Sequence, residues 1–536
     1  MSRRVVLIVV SCLTVVALGA GAAAYLLTRT TGSARATAAE YLAAWQRGDL
    51  AGMQALVADP PADFTAAYTR TRTSLGVTHT NVRLDTVTKN AASFTATLTL
   101  NGVGDWTYQG SIALAVKNRR WLVAWTPAAQ HPALRTGQHL ALKTTWPVRA
   151  GVLAADGTRL DTGNVSGSVQ LLVGTSGPAT AAQAAKLGAP YAKGDPIGLG
   201  GVEEQFQQQL AGTPSTSILV VDAAGHATGT PVGKLGGKPG TEVKTSLDPR
   251  IQAAAAKAIT SQGKPAALVA IRPSTGEILA VANQPGGFSR AMLGQYPPGS
   301  TFKVVTAASL LSHGLTPASS VTCANTATIG GQKFHNFEGE KFGPIDLRTA
   351  FAKSCNTAFA TAATQKLTGS QLAATAQTFG FDTPLNPGSP AARSKFPLPR
   401  DTAEFASQAF GQGRVTATPL AMAAVAAAVQ NGTWRSPLLV IGGKPGATHP
   451  LASNVVSGLR DMMAAVVTSG TAMGAKLPAG TAGKTGTAEY GTGAKPPTHA
   501  WFIGYRGDLA FAIIVEGGGI GGSVAAPLAA TFLSQA

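Results

Sequence analysis

Cysteine is scarce in this 536-residue chain: Cys12, Cys323 and Cys355 are all it has. Three cysteines make no disulfide framework, and their spacing suggests no metal site, which excludes a cystine-stapled scaffold and a zinc module. Cys323 and Cys355 could pair in an oxidising compartment, and the sequence leaves that open. Charge is thin too. Asp, Glu, Lys and Arg make up 13% of the chain, and acids are the scarcer sign, 25 against 43 bases, for a formal net charge of +18. The bases are scattered, with no run longer than a pair. A nucleic-acid binder clusters its Lys and Arg, so the basic balance reads as a solvated surface facing an anionic polymer or lipid. Fixed-period repeats and a long disordered tail are also missing.

Apolar residues make up 45% of the chain, alongside 63 glycines and 32 prolines. That mixture supports large cores in a loop-rich extracytoplasmic protein, and the length suggests about three domains. Arg3 and Arg4 precede an apolar run from Val5 to Leu27. At about 1.5 Å per residue it is long enough to cross a hydrocarbon core of about 30 Å, and the arginines would stay inside. Two other readings stay open. Ala22-Ala23-Ala24 could be a signal-peptidase site, and Val9-Val10-Ser11-Cys12 looks like a lipoprotein box. All three place the remaining chain outside the cytoplasm.

Residues 35–57 read as two short helices broken at Gly48-Asp49. Alternation at Phe94, Ala96, Leu98 and Leu100, a turn at Asn101-Gly102, and strands from Trp106 to Val116 and Trp121 to Trp125 complete a small α+β cone. Residues 131–238 are rich in Gly, Pro and Thr and read as a connecting module. Asp248-Pro249 then starts a helix, with Asp as N-cap and Pro in the first turn. A hairpin of Ala267–Ile271 and Ile278–Val281 follows. The chain ends on another hairpin, Trp501–Tyr505 with Leu509–Glu516.

Chemistry concentrates in Tyr296-Pro297-Pro298-Gly299-Ser300-Thr301-Phe302-Lys303. Pro-Pro-Gly cannot be helical, and an apolar helix follows, so Ser300 is expected at a helix N-terminus where backbone N–H groups are free. Lys303 falls one turn later on the same face, within reach of the hydroxyl. A serine is a poor nucleophile until a base takes its proton, and a desolvated lysine beside another cation can do so. Ser-x-x-Lys alone is weak: Ser261-Gln262-Gly263-Lys264 matches as well, and is read as a loop. Ser354-Cys355-Asn356 adds a hydroxyl able to relay protons and an amide able to hold a carbonyl. Lys484-Thr485-Gly486-Thr487 adds, on a strand, a cation, a glycine open to close approach and a backbone N–H for an oxyanion.

These three segments, in this order, resemble the Ser-x-x-Lys, Ser-x-Asn and Lys-Thr-Gly set of penicillin-binding proteins and serine β-lactamases. Leu268-Val269-Ala270-Ile271, Ser274-Thr275-Gly276-Glu277, Phe410-Gly411-Gln412-Gly413 and Thr418-Pro419-Leu420 resemble the same family. Arg149-Ala150-Gly151-Val152-Leu153 and Gly200-Gly201-Val202-Glu203 are similar to the linker, or dimerisation, module of its class B members. Residues 34–130 resemble the NTF2-like domain of the methicillin-resistance type and of many actinobacterial members. No glycosyltransferase motif is found.

The resemblance implies a multidomain α+β chain. Residues 1–33 would be a cytoplasmic stub and transmembrane anchor (or a signal or lipoprotein segment), 34–130 the NTF2-like cone, and 131–238 the dimerisation module. Residues 239–536 would be the transpeptidase domain, a central antiparallel sheet flanked by helices. It implies a peptidoglycan D,D-transpeptidase acylated by β-lactams. Ser300 would be the nucleophile and Lys303 its base. Ser354 and Asn356 would handle protons and the acyl chain. Lys484, Thr485, Gly486 and Thr487 would bind the terminal carboxylate and the oxyanion. No metal or organic cofactor is needed. The partners implied are stem peptides, lipid II-derived glycan strands, β-lactams, and glycosyltransferase, divisome or elongation-complex membrane proteins, with no nucleic acid. A D,D-carboxypeptidase or β-lactamase-like hydrolase and a structural partner in a wall-synthesis complex are the alternatives.

Other features are decoys. Gly517-x-Gly519-x-x-Gly522 lacks the chain length for a βαβ unit after it. Gly483-Lys484-Thr485 lacks the earlier P-loop glycine, which is Pro478. His499, Cys355, Glu203 and Glu489 read as structural.

Overall fold

A computed structural model describes residues 30–260, 262–443, 446–493 and 495–536. The expected membrane anchor and Ser261 fall outside them. Among the described residues no helix is long and apolar enough to cross a membrane.

The described chain forms two compact units. The first comprises residues up to Arg149 with Pro178–Pro196 and Ala211–Gly240. Helices α1 (Ala34–Arg47), α2 (Leu50–Ala55) and α3 (Phe64–Leu75) precede an antiparallel sheet of β1 (Val77–Val87), β2 (Ala91–Leu100), β3 (Gly104–Lys117) and β4 (Arg120–Val123). Ser33 caps α1 and Asp49 caps α2, each accepting from a first-turn N–H, which is why the Gly48-Asp49 break separates two helices. Strand β2 buries every second residue, and Phe94 and Ala96 pack with Tyr41, Trp45 and Phe64 from the helices. The unit also holds a three-stranded sheet in which β6 (Thr213–Val221) is central, between β5 (His139–Thr145) and β7 (Gly233–Lys238). Its Leu140, Ile218 and Val220 share a core with Leu98, Leu100 and Trp106 of the first sheet. Strands β5 to β7 come from the connecting module, so compactness does not follow the contiguous ranges expected from sequence.

The second unit comprises Ala150–Gly177, Ile197–Leu210 and Thr241–Ala536. Its centre is a five-stranded antiparallel sheet of β8 (Ala266–Ile271), β9 (Ile278–Gln284), β10 (Ala482–Glu489), β11 (Thr498–Arg506) and β12 (Leu509–Val515), in the order β9-β8-β12-β11-β10. Strand β8 reads Ala-Ala-Leu-Val-Ala-Ile without alternation because both its faces are buried. Helix α4 (Pro249–Thr260) is capped by Asp248, whose carboxylate accepts from Arg250 and Ile251. Helix α4 and α9 (Ala525–Leu533) lie on one side. The C-terminal hairpin is therefore followed by a helix.

Helix α5 (Lys303–Ser312), α6 (Asn356–Lys366), α7 (Pro419–Asn431) and α8 (Ser453–Thr468) make up most of the helical layer of this unit. Helix α7 is apolar all round and almost wholly buried, which marks it as the central core helix. Thr418 caps it and Pro419 opens its first turn. Strand β10 is the sheet edge beside the turn that carries Ser300. This is the placement the chemistry depends on.

Candidate active site

Ser300 lies in a 3-10 turn, Gly299–Phe302, that runs directly into α5. The sequence led us to expect the α-helix itself to begin at the serine. In a 3-10 turn residues i and i+3 eclipse, so Ser300 and Lys303 line up, and Lys303 Nζ lies 3.0 Å from Ser300 Oγ. The turn is pinned from three sides. Gly299 N donates to Gly411 O at 2.9 Å, Trp501 Nε1 donates to Pro297 O at 3.1 Å, and Thr301 Oγ1 donates to Pro298 O at 2.6 Å. Gly411 has φ +78°, and a Cβ there would come within 2.1 Å of Gly299 O. The Phe410-Gly411-Gln412-Gly413 segment is thus part of the support for the serine.

Lys303 Nζ also donates to Ser354 O at 2.6 Å and Asn356 Oδ1 at 2.6 Å, and lies 3.3 Å from Ser354 Oγ. Lys484 Nζ reaches the same hydroxyl, 2.9 Å from Ser354 Oγ, and its own neighbour Thr485 O at 3.0 Å. Ser300, Lys303, Ser354 and Lys484 therefore form one unbroken chain of polar contacts. Both lysines are 0% exposed. Burial, and then the charge of Lys484, push Lys303 well below its ordinary pKa. Burial pushes Lys484 down to about 7. Phe359 lies 5.7 Å from Lys303 Nζ and Phe351 lies 5.5 Å from Lys484 Nζ, aromatic neighbours that no sequence motif announced. Burial and the neighbouring cation thus both favour the neutral amine at Lys303, against a serine hydroxyl, which is the form a general base requires.

Ser354 sits at φ +61°, a left-handed conformation uncommon for a residue with a Cβ. Two covalent and polar ties hold it there. Cys355, the next residue, is bonded to Cys323, and it caps α6 in place of the usual Ser or Asp. The pairing left open by the sequence is thus made, and Cys355 is a cystine rather than a nucleophile. Asn356, the first residue of α6, accepts from Lys303 Nζ at its Oδ1 and donates from Nδ2 to His335 O at 3.2 Å.

On β10, Lys484 and Gly486 alternate with Thr485 and Thr487 in an unbroken register against β11. Thr487 O lies near Gly299, 2.9 Å from where a Cβ would be. A strand residue sends its N–H and C=O to the same side, so the N–H of Thr487 also faces the serine turn, as an oxyanion donor must. A Cβ on Gly486 would meet Thr301 Cγ2 at 2.9 Å and Trp501 Cβ at 3.0 Å, so only glycine lets the edge strand lie this close to the turn. Thr485 Oγ1 is hydrogen-bonded to Thr471 Oγ1, and Thr487 Oγ1 accepts from Gly521 N at 3.3 Å. All eight candidate residues are thus brought together around the serine turn and the adjoining edge strand. Gly411 lies in a segment already singled out by its resemblance, whereas Trp501, Thr471 and the loop after His335 were not named as part of the site.

The decoys resolve as structural. His499 Nδ1 accepts from Gly517 N at 3.2 Å, and the ring stacks on Tyr490 at 4.0 Å, with burial lowering its pKa. Glu203 is buried in a short helix. Among the described residues no group of three or more His, Cys, Asp or Glu is placed to hold a metal ion.

A serine at the head of a helix, two buried lysines joined through a second serine, and an edge strand offering a main-chain donor define a serine acyl-transfer enzyme. The chain belongs to the penicillin-binding protein transpeptidase family. The transpeptidase-domain family matches residues 266–534, the NTF2-like N-terminal transpeptidase domain matches 33–138, and the penicillin-binding protein dimerisation domain matches 165–245. The peptidoglycan D,D-transpeptidase PbpA of Mycobacterium tuberculosis is 32% identical over 360 residues, covering 55% of this chain and 72% of that protein. The peptidoglycan D,D-transpeptidase MrdA of Acinetobacter baumannii is 28% identical, covering 62% of this chain and 60% of that protein. Among solved structures, the ceftriaxone acyl-enzyme of penicillin-binding protein A from M. tuberculosis is 30% identical with a TM-score of 0.52, covering 56% of this chain and 80% of that one. PBP2 of Pseudomonas aeruginosa is 26% identical with a TM-score of 0.63, covering 74% and 96%.

Proposed function

We propose that this chain is a peptidoglycan D,D-transpeptidase that cross-links stem peptides through an acyl-enzyme on Ser300. The observation that carries the reading is the polar chain Ser300–Lys303–Ser354–Lys484 with both lysines buried. Neutral Lys303 takes the Ser300 proton as Oγ attacks the penultimate D-Ala carbonyl. The N–H groups of Ser300 and Thr487 hold the oxyanion. The proton passes through Ser354 to the leaving D-Ala nitrogen as the C–N bond breaks. Asn356 orients the acyl chain. Lys484, Thr485 and Thr487 bind the terminal carboxylate, and Gly486 keeps the strand close enough for them to reach it. An amine of a second stem then attacks the ester, forms the cross-link and releases Ser300.

β-Lactams acylate the same serine because they mimic the D-Ala-D-Ala end. The relatives' names, and the acyl-enzyme structure among them, support this. The setting that fits is the outer face of the membrane, held by residues 1–33, with stem peptides of growing glycan strands as substrate. Wall-synthesis membrane proteins, a glycosyltransferase among them, fit as partners.

Labelling the purified protein with fluorescent penicillin and mapping the adduct by mass spectrometry tests this. An adduct on Ser300 that persists for minutes is the expected result. A modified residue elsewhere overturns the assignment, and rapid turnover of the drug would make the chain a hydrolase instead.

A further inference from the structure

The first unit holds a cavity for which the chemistry at Ser300 has no use. Its volume is about 280 Å³, and it lies between the C-terminal turns of α1 and α3 and the start of β1. Trp45 and Tyr68 form an aromatic floor, their rings edge to face with centroids 5.5 Å apart. Tyr68 presents its ring and keeps its hydroxyl occupied elsewhere: the Oη shares a hydrogen bond with Tyr41 Oη at 2.7 Å and accepts from Trp125 Nε1 at 3.4 Å. Trp45 differs. It is 9% exposed, and its indole N–H has no hydrogen-bond partner among the described residues. A nearly buried donor left unmade is costly, and a bound acceptor would relieve it.

The unspent polar groups that Gln46, Arg47 and Arg72 bring to the wall are donors as well. Gln46 Oε1 accepts from Val82 N at 3.1 Å, which leaves its Nε2 free. Arg47 and Arg72 make no hydrogen bond or ion pair among the described residues, and no Asp or Glu lines the cavity. Each arginine stands in the last turn of its helix, where it offsets the macrodipole, and that accounts for each one singly. It does not account for their convergence. A Cβ on Gly48, the residue after Arg47, would lie 3.5 Å from Arg72 Nη1, so the guanidinium of α3 is folded over the end of α1. Asp49, the next residue along, spends its carboxylate as a cap on Gly52 N at 2.8 Å. Two like charges at one mouth with no carboxylate between them repel until an anion arrives.

We propose that this cavity binds a small organic anion, with a carboxylate or phosphate held between Arg47 and Arg72 and a ring laid against Trp45 and Tyr68. Guanidinium forks match both oxyanions, and the aromatic faces suit the body that carries them. The volume falls just below the range of about 300–1,000 Å³ typical of sites for drug-sized ligands, so the guest is a single ring with one anionic group and not a stretch of polymer. The site is independent of the reaction at Ser300.

Isothermal titration calorimetry on the full chain tests this with phenyl phosphate, benzoate, phenol and inorganic phosphate. At least one of the two aromatic anions should saturate a single site with a Kd of about 1 mM or tighter, and the tighter of them identifies the anionic group. Phenol lacks the charge and inorganic phosphate lacks the ring, so each should bind at least about tenfold more weakly. Arg47→Gln and Arg72→Gln should each weaken the aromatic anion about tenfold. Trp45→Phe, which keeps a ring and removes the N–H, should weaken it about threefold. Arg35→Gln, at an exposed arginine of α1 outside the cavity, should leave it within about twofold of the parent. Circular dichroism melting checks that the variants fold. Absence of saturable binding by either aromatic anion overturns the proposal. So does binding that ignores both cavity arginines, which would put the anion elsewhere, or that Arg35→Gln weakens equally, which would make it a property of the basic surface. Inorganic phosphate binding as tightly as the aromatic anions would remove the role of the floor, and with it the proposed class of ligand.

Discussion

Ser354 carries two burdens at once: its hydroxyl joins two lysines, and its backbone adopts φ +61°. Substitution separates them. Ser354→Ala and Ser354→Gly both remove the relay and should slow penicillin acylation by about a hundredfold, within the range of a lost proton-transfer group. Glycine carries no penalty in the left-handed region, so Ser354→Gly should be about 1 kcal/mol more stable than Ser354→Ala in denaturant titration. The buried lysines give a pH signature. Lys484 titrates at about 7 rather than at its ordinary 10.5, so the unfolded chain binds more protons than the folded one between those values. Stability therefore rises with pH across that window, and Lys484→Met should flatten the rise in a melting series. The free enzyme also loses the Lys484 ammonium above pH about 7. The second-order rate of acylation by a carboxylate-bearing β-lactam should fall there, and Lys484→Arg should abolish that alkaline limb in stopped-flow measurements. At this scale the sequence was highly legible, because Ser300, Lys303 and Lys484 sit in short motifs whose chemistry follows from spacing. The buried aromatic neighbours Phe351 and Phe359 were not legible, since no motif ties them to the lysines they face.

Among elements, the serine turn depends on contacts from distant segments. Gly411→Ala would drive a methyl into Gly299 O, and should cut acylation at least tenfold while leaving the fold of the first unit intact, as read by penicillin labelling beside circular dichroism. The Cys323–Cys355 bridge closes a loop with a sequence separation of 32. By chain-entropy reasoning, the double serine variant should lose about 3–4 kcal/mol of stability. Strands and capped helices were readable where alternation or an Asp-Pro pair marked them, as at β2 and α4, and β8 was readable as a short apolar run ahead of a Pro-Ser-Thr-Gly turn. Helix α3 and strand β1 were not. Helix α3 buries Phe64, Tyr68 and Leu75 among threonines and arginines, and β1 is an edge strand with Val77 and Val82 as its buried positions. Such sparse apolar spacing gives no period to read. Packing partners supplied by other segments decided both.

On the scale of the whole molecule, the chain order of the domains was legible from motifs, but their compact boundaries were not. Strands β5 to β7 lie in the first unit because Leu140, Ile218 and Val220 complete a core with Leu98 and Trp106, a long-range event that composition does not signal. All eight candidate residues lie in the second unit, between positions 296 and 522. A chain lacking residues 1–33 should therefore label on Ser300 at the parent rate. Loss of labelling would show that the N-terminal segment does more than tether.

The position of β10 has a broader consequence. An outermost strand has hydrogen-bonding groups to spare on one side, and beside Thr487 that side looks onto the nucleophile. A ligand laid along it is recognised through its own amides, much as a new strand would be. Discrimination then falls on the ligand's main-chain shape and terminal charge, and little falls on its side groups. Drugs with very different substituents should consequently all find this serine, and resistance would come more readily from shifting the strand than from reshaping a pocket wall.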